Sequence, residues 1–187
     1  RPQSATVVQQ LKKQNITPIL LTGDNTQTAQ SIAKQLGITE FQAEVLPQEK
    51  EKKIKELQSR YGKVAMVGDG INDAPALASA DVGIAMGNGT DVAIESAGIT
   101  LLRSDISLVP QAIKLSQATM KNIHQNLFWA FGYNVVLIPV AMGALYPYFG
   151  IQLSPILASI AMAFSSVSVV SNALRLKKIS LVKNKIN

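Results

Sequence analysis

The pattern of apolar and polar residues divides the chain near residue 105. Before that point, short apolar runs alternate with stretches in which apolar residues recur every three or four positions. The short runs are TPILLT (17–22), KVAMV (63–67), VGIAM (82–86) and GITLL (98–102), and the clearest helical stretches are 26–36, 47–62 and 91–97. Alternating strands and helices predict an α/β fold, a parallel sheet with helices on both faces.

Beyond that point, residues 125–174 carry no formally charged side chain. Two apolar runs, Leu127–Tyr146 and Leu153–Leu174, are each about 20 residues long, the length that a helix needs to cross a bilayer. Residues 147–152 make a short uncharged turn, and 107–124 have an amphipathic helical pattern. We predict a transmembrane helical hairpin; the alternative is two buried helices of a soluble domain.

Composition and charge narrow the class of protein. Hydrophobic residues make up 47% of the 187 residues and charged residues 16%, which argues against disorder. Without Cys there are no disulfides or thiolate metal sites, and one His cannot form a histidine cluster. The net charge of +6 would suggest nucleic acid, but all 12 acidic residues lie between Asp24 and Asp105, and Lys and Arg flank the apolar runs. We therefore expect a membrane, not nucleic acid, with both outer ends of the hairpin in the cytoplasm.

These patterns predict four segments. Residues 1–105 form the α/β domain, 106–126 an amphipathic linker helix, 127–175 two transmembrane helices and 176–187 a basic cytoplasmic tail.

Two short segments contain residues that could bind phosphate, one after a predicted strand and one at a predicted helix start. The TGDN loop follows the first strand, and the Thr22 hydroxyl with the backbone of Gly23 and Asp24 can hold phosphoryl oxygens. Lys50 lies in the first turn of the helix that Pro47 opens, where its charge can face an anion. Each signal alone is also compatible with an ordinary turn or a solvated lysine run.

The run GDGINDAPAL (68–77) is more specific. Asp69 and Asp73 stand four residues apart across a turn, and two carboxylates at a strand end favour a hard cation such as Mg²⁺. Asn72 adds an amide between them, and Gly68 and Gly70 let a ligand approach the backbone.

Together these motifs, with the run from 66 to 97, resemble the second half of the phosphorylation domain of P-type ATPases, which has the haloacid dehalogenase fold. The resemblance implies that Thr22, Gly23 and Asp24 contact the phosphoryl group and nucleotide. It also implies that Lys50 neutralises phosphoryl oxygens and that Asp69 binds Mg²⁺, with Asn72 and Asp73 completing the site.

One departure from the family bears on activity. The family's phosphorylated Asp lies in a DKTG motif, and no DKTG occurs in the chain. We therefore expect a carboxyl-terminal fragment that is inactive alone and that depends on the amino-terminal part of the same pump for its ATP-binding domain.

Polar residues inside the apolar runs suggest the transported ion. Tyr133 and Asn134 lie in the first run, and Met162, Ser165 and Ser166 share one face of the second. A thioether favours Cu⁺ over harder cations, and the pairing resembles the copper(I)-transporting subgroup. The rival interpretation is that Met162 packs and that the serines allow close helix approach.

The resulting hypothesis is an ATP-driven copper(I) export pump, a multi-pass protein of the plasma membrane. The alternatives are a pump for zinc or cobalt, whose spans would be expected to contain Asp or Glu, a membrane-anchored phosphatase of the haloacid dehalogenase type, and a non-catalytic membrane module.

Overall fold

A computed structural model describes residues 3–87, 89–150 and 154–178 of the chain. The chain divides into two compact units, residues 1–110 and 111–187. In the first unit the elements are α1 (Ser4–Lys13), β1 (Ile19–Leu21), α2 (Thr26–Leu36), β2 (Glu40–Gln42), α3 (Pro47–Tyr61), β3 (Ala65–Gly68), a 3₁₀ turn (Ile71–Asp73), α4 (Ala74–Ser79), β4 (Val82–Met86), α5 (Asp91–Ser96) and β5 (Ile99–Leu101).

All strand pairs in the first unit are parallel, as predicted. Strand β1 pairs with β2, and β3, β4 and β5 form a second sheet in that order. The register places Val67 opposite Ile84, and Ile84 opposite Ile99. The α/β prediction is therefore confirmed, although the strands form two separately hydrogen-bonded sheets where one was expected.

The core of this unit lies between α3, α4 and the β3–β4 strands. Ile54 of α3, Met66 of β3 and Leu77 of α4 are buried together, with Ala76 and Ala93. The packing orients α3 so that its amino-terminal turn, which holds Lys50, lies near the turn that follows β3. The packing of the core thus brings Lys50 of α3 next to Asp73 in the turn after β3.

At the amino-terminal end of β3, Asp81 is hydrogen-bonded to α3 and to the two residues that precede the strand. Its carboxylate accepts hydrogen bonds from Lys63 Nζ (2.6 Å), the Val64 N–H (3.0 Å) and Gln58 Nε2 (3.0 Å). The bond from Lys63, followed by those from Val64 and Gln58, holds the pKa of the Asp81 carboxyl well below its usual value of 3.8.

We expect Asp81→Asn to lower the thermal midpoint of the chain at pH 7, because Lys63 and the Val64 N–H then lose their anionic acceptor. The pKa of Asp81 is lower in the folded chain than in the unfolded chain. The stability that its charged carboxylate contributes is therefore complete above pH 3.8 and is lost as the pH falls through the folded-state pKa. Circular dichroism melts of parent and variant should therefore converge under strongly acidic conditions. A midpoint difference that stays constant down to pH 2 would contradict this assignment.

The second unit is helical. It contains most of α6 (Leu108–Ala141), then α7 (Tyr146–Phe149), α8 (Pro155–Leu174) and a 3₁₀ turn (Arg175–Lys178). The predicted linker helix and the start of the first apolar run are one continuous helix. Among the described residues, one segment, Ala158–Lys177, has the length and mean hydropathy (1.3) of a membrane-crossing helix.

The first apolar run does not stay helical to Tyr146, contrary to expectation. The Ala144 N–H donates to the Pro139 carbonyl (3.0 Å) and the Gly143 N–H donates to the Val140 carbonyl (3.1 Å), while Gly143 has φ 87°. These paired bonds around a left-handed glycine are a Schellman motif, which ends a helix whatever its hydropathy. Helix α6 therefore ends at Ala141.

Candidate catalytic and metal-binding site

The TGDN loop begins directly after β1 and is tied to the chain around β2. The Thr22 N–H donates to the Gln42 carbonyl (3.0 Å), and the Thr22 carbonyl accepts from the Val45 N–H (3.1 Å). The Thr22 hydroxyl donates to Asp24 Oδ2 (2.9 Å) and accepts from the Asp24 N–H (3.1 Å). A hydroxyl and a carboxylate are therefore presented at the carboxyl end of a parallel strand, where ligands bind in α/β sheets.

The adjoining amino terminus of α2 has its own acceptors. Asn25 Oδ1 accepts from the Thr28 N–H (2.8 Å), and Glu44 Oε1 accepts from both the N–H and the hydroxyl of Thr26 (3.2 Å each). An anion at this helix end would have to displace Glu44. The candidate ligand groups of this region are therefore those of the loop and not those of the helix end.

Lys50 and Asp73 form an ion pair between the first turn of α3 and the 3₁₀ turn after β3. Lys50 Nζ lies 2.6 Å from Asp73 Oδ1, and the two side chains are only 16% and 14% exposed. Asp73 Oδ2 also accepts a long hydrogen bond (3.4 Å) from the Gly70 N–H. An ammonium group has three N–H donors, so the pair fixes Lys50 without using all of its donors on Asp73.

Gly68 makes this arrangement sterically possible. A Cβ added at Gly68 would lie 2.8 Å from the Asp73 Cβ and 2.9 Å from its Oδ2, closer than real side chains approach. The absence of a side chain at the last residue of β3 therefore lets Asp73 fold back over the strand end. Gly70 has no comparable steric demand, since its nearest neighbour would be 3.8 Å away.

Asp69 is the exposed carboxylate at the end of β3. Its main chain is anchored, because its carbonyl accepts from the Thr90 N–H (3.2 Å). Among the described residues, no group of three His, Cys, Asp or Glu side chains could hold a metal ion. The donors nevertheless fit Mg²⁺, which takes one or two carboxylates and completes its shell with water and phosphate oxygens.

The predicted catalytic residues thus fall into two groups. Thr22 and Asp24 contact each other, and Lys50 contacts Asp73. Asp69 and Asn72 are exposed and lie within four residues of Asp73 in the sequence. Their roles as phosphate and Mg²⁺ ligands stay predictions.

Two of the five predicted copper residues make side-chain hydrogen bonds within their own helices. Asn134 Nδ2 donates to the Ala130 carbonyl (2.9 Å), and the Ser166 hydroxyl donates to the Met162 carbonyl (3.2 Å). Met162 is 68% exposed, whereas Tyr133 and Ser165 are half-buried. In the described part of the chain these side-chain hydrogen bonds stay within one helix and do not join the two sets, and the copper role of the five residues stays a prediction.

Sequence reasoning missed a polar network in the helical unit. Asn122 Nδ2 donates to the Asn172 carbonyl (2.7 Å), Asn126 Nδ2 to Asn122 Oδ1 (3.1 Å), and Asn172 Nδ2 to Asn126 Oδ1 (2.9 Å). The available signal was an Asn pair four residues apart in α6 with a third Asn near the end of the second apolar run. Polar residues in such runs deserve a functional explanation.

Comparison with known proteins gives consistent matches. Residues 1–81 match the family profile described as haloacid dehalogenase-like hydrolase. The chain is 61% identical over 178 residues to the "Probable copper-transporting ATPase PacS" of Synechocystis sp., covering 95% of this chain and 24% of that protein. It is 58% identical over 173 residues to the silver exporting P-type ATPase of Salmonella typhimurium, covering 92% of this chain and 21% of that protein.

A solved structure agrees with these sequence matches. A zinc-transporting PIB-type ATPase in its E2·Pi state matches with a TM-score of 0.82 and 40% identity, over 94% of this chain and 28% of that chain. The chain therefore spans about a quarter of the length of these relatives. Over more than nine-tenths of its residues, the chain is therefore similar in sequence and in structure to one region of P-type ATPases.

Proposed function

We propose that the chain is the part of a copper(I)-exporting P-type ATPase that binds the phosphoryl group and Mg²⁺ and contributes two helices to the membrane domain. The observation that carries the proposal is the Lys50–Asp73 ion pair beside the exposed Asp69, at the carboxyl edge of a parallel sheet. It occurs in a chain 55–61% identical to relatives named as copper-transporting or copper-exporting.

The residues of the α/β unit have distinct roles in this proposal. The Thr22 hydroxyl and the backbone of Gly23 and Asp24 orient the phosphoryl oxygens. The Lys50 ammonium stabilises the negative charge on those oxygens, and Asp73 holds Lys50 in place. Asp69 holds Mg²⁺, with Asn72 beside it; the bound ion supplies charge neutralisation for the transferring phosphoryl group.

Other parts of the reaction come from outside the chain. Its 187 residues contain no DKTG motif. We infer that the phosphorylated Asp and the ATP-binding domain belong to the rest of the pump, and that the isolated chain does not hydrolyse ATP.

The helical unit fits a lipid environment. Large apolar side chains on α6 are exposed, Phe128 by 70%, Phe131 by 65% and Val135 by 70%. Helix α8 likewise exposes Phe164 (63%) and Val167 (62%). Contiguous exposed apolar surface of this kind is rare on soluble monomers and marks contact with a membrane or partner. We therefore propose that α6 enters the membrane, although only Ala158–Lys177 meets the length and hydropathy criterion among the described residues.

The topology can be tested with reporters. Lys and Arg lie at both outer ends of the hairpin and are absent from its turn, so we expect residue 187 in the cytoplasm and Gly150 on the opposite side. Alkaline phosphatase fused after Gly150 should be active, and the same reporter after residue 187 should be inactive. Activity at the second position would contradict the hairpin.

The function is tested by metal stimulation of a full-length pump that contains the chain. We expect Cu⁺ to stimulate ATP hydrolysis and Zn²⁺ to have little effect, because the Met162 thioether favours the softer ion and the two apolar runs contain no Asp or Glu. A pump stimulated by Zn²⁺ and not by Cu⁺ would contradict the copper proposal while leaving the similarity to P-type ATPases intact.

A further inference from the structure

The three asparagines Asn122, Asn126 and Asn172, here called the Asn clamp, connect α6 to α8. Two of their hydrogen bonds cross between the helices, at 2.7 and 2.9 Å, and the third joins Asn122 to Asn126 within α6. Asn122 is only 7% exposed and is the one buried polar side chain among the described residues. Each of the three amides donates one of these bonds.

The clamp lies at one end of a helix–helix seam. Half-buried positions on α6 recur at Asn126, Ala130, Tyr133, Leu137 and Val140, at alternating spacings of four and three. A matching stripe on α8 consists of Ala158, Ala161, Ser165, Ser168 and Asn172. Such spacing keeps residues on one face of a helix. Because clamp residues belong to both stripes, the stripes face each other.

Chain connectivity makes the two helices antiparallel. If they ran parallel with Asn126 level with Asn172, Ala141 and Pro155 would be separated by about 48 Å along the axis. Residues 142–154 cannot span that distance, because extended chain covers at most about 3.5 Å per residue and Tyr146–Phe149 is helical.

The antiparallel arrangement relates the clamp to the predicted copper residues. Tyr133 lies seven residues after Asn126, and Ser165 lies seven residues before Asn172. Seven residues are close to two helical turns, or about 10.5 Å. Since Asn126 and Asn172 are in direct contact, Tyr133 and Ser165 are at the same height along the seam.

We propose that the Asn clamp is a positioning device that fixes the axial register of α6 against α8, so that Tyr133 and Asn134 stay level with Met162 and Ser165. Beyond the clamp the seam consists largely of small or apolar side chains, which specify a register weakly. Paired polar groups in an apolar seam specify one register, as buried Asn residues do in coiled coils. The consequence for copper rests on the proposed function; the register does not.

Cysteine cross-linking tests the register directly, since the chain contains no Cys. Leu137→Cys with Ala161→Cys places thiols 11 residues from Asn126 and from Asn172, and Leu137→Cys with Ser168→Cys is one heptad out of register. In the full chain in lipid vesicles, we expect a short bifunctional methanethiosulfonate to link the first pair efficiently and the second poorly. Preferential linking of the second pair would overturn the assigned register.

The role of the clamp is tested in the same cysteine pairs. Asn126→Ala removes one of its inter-helix bonds and the bond to Asn122, and we expect it to lower cross-linking of the first pair several-fold. Asn172→Ala removes the bond to Asn126 but keeps the backbone carbonyl that accepts from Asn122. It is the milder variant, and it still tests the proposal if Asn126→Ala fails to fold. The exposed neighbours provide matched controls, Gln125→Ala and Ser171→Ala. Unchanged cross-linking in both clamp variants would overturn the proposal.

The link to copper is tested separately in a full-length pump. Loss of a residue that orients metal ligands typically weakens metal affinity 10–100-fold. We expect Asn126→Ala to raise the Cu⁺ concentration for half-maximal stimulation about ten-fold, with a much smaller fall in the rate at saturating Cu⁺. An equal fall in rate at all Cu⁺ concentrations would overturn the positioning role. A parent pump without Cu⁺ stimulation would overturn the proposed function and leave the cross-linking result standing.

Discussion

In a full-length pump that contains this chain, Asp69→Asn should reduce Mg²⁺-dependent phosphorylation by ATP at least about 100-fold, because a metal ion contributes several kcal/mol of charge stabilisation. Asn keeps the size of the side chain and removes the negative charge that attracts the ion. Asp69 is exposed, so the substitution disturbs little packing. Acid-stable incorporation of labelled phosphate, measured across a range of Mg²⁺ concentrations, gives the result.

The matched control is Glu95→Gln, which removes an exposed carboxylate from α5 and should leave phosphorylation unchanged. Asp73→Asn is not an equivalent control. It breaks a largely buried ion pair and leaves Lys50 without its partner, which typically costs about 3–5 kcal/mol of stability. If Asp69→Asn were phosphorylated normally at ordinary Mg²⁺ concentrations, Asp69 would not be the principal ligand.

Helices and strands whose ends or apolar runs are encoded by neighbouring residues were predicted correctly. Helix α2 covers the predicted stretch 26–36, because the Asn25 side chain accepts a first-turn N–H where the helix starts and a left-handed glycine, Gly37 (φ 70°), ends it. Strand β4 covers the predicted Val82–Met86, since it is a continuous apolar run. The same reasoning overlooked β2 and α4, which have three and six residues, too few to establish a period.

Contacts between distant residues were beyond these signals. The sequence indicated that Lys50 and Asp73 belong to one site, but not that they pair with each other, because the contact depends on how α3 packs over the end of β3. The Asn clamp joins residues 46 and 50 positions apart and depends on the pairing of α6 with α8. Hydropathy alone also placed the end of the first apolar helix too late, since it does not register the hydrogen bonds around Gly143.

Met162→Leu should reduce Cu⁺-stimulated ATP hydrolysis by the full-length pump strongly, by about ten-fold or more if the thioether is a metal ligand, while barely affecting folding. Leu conserves volume and apolarity, so its packing cost stays below about 1.5 kcal/mol. Met162 is 68% exposed, which lowers that cost further. What the substitution removes is the only sulfur atom in α8.

Two further variants separate ligation from packing. Met142→Leu makes the same chemical change at an 82% exposed methionine outside α8 and should be silent. Ser166→Ala should act in the same direction as Met162→Leu but more weakly, because a hydroxyl is a poorer Cu⁺ ligand than a thioether. If the serines served only close helix approach, both Met162→Leu and Ser166→Ala would be nearly silent, and bulky residues at Ser165 would do the damage. Full Cu⁺ stimulation in Met162→Leu would therefore contradict the copper assignment of this side chain, whatever the effect of the serine variants.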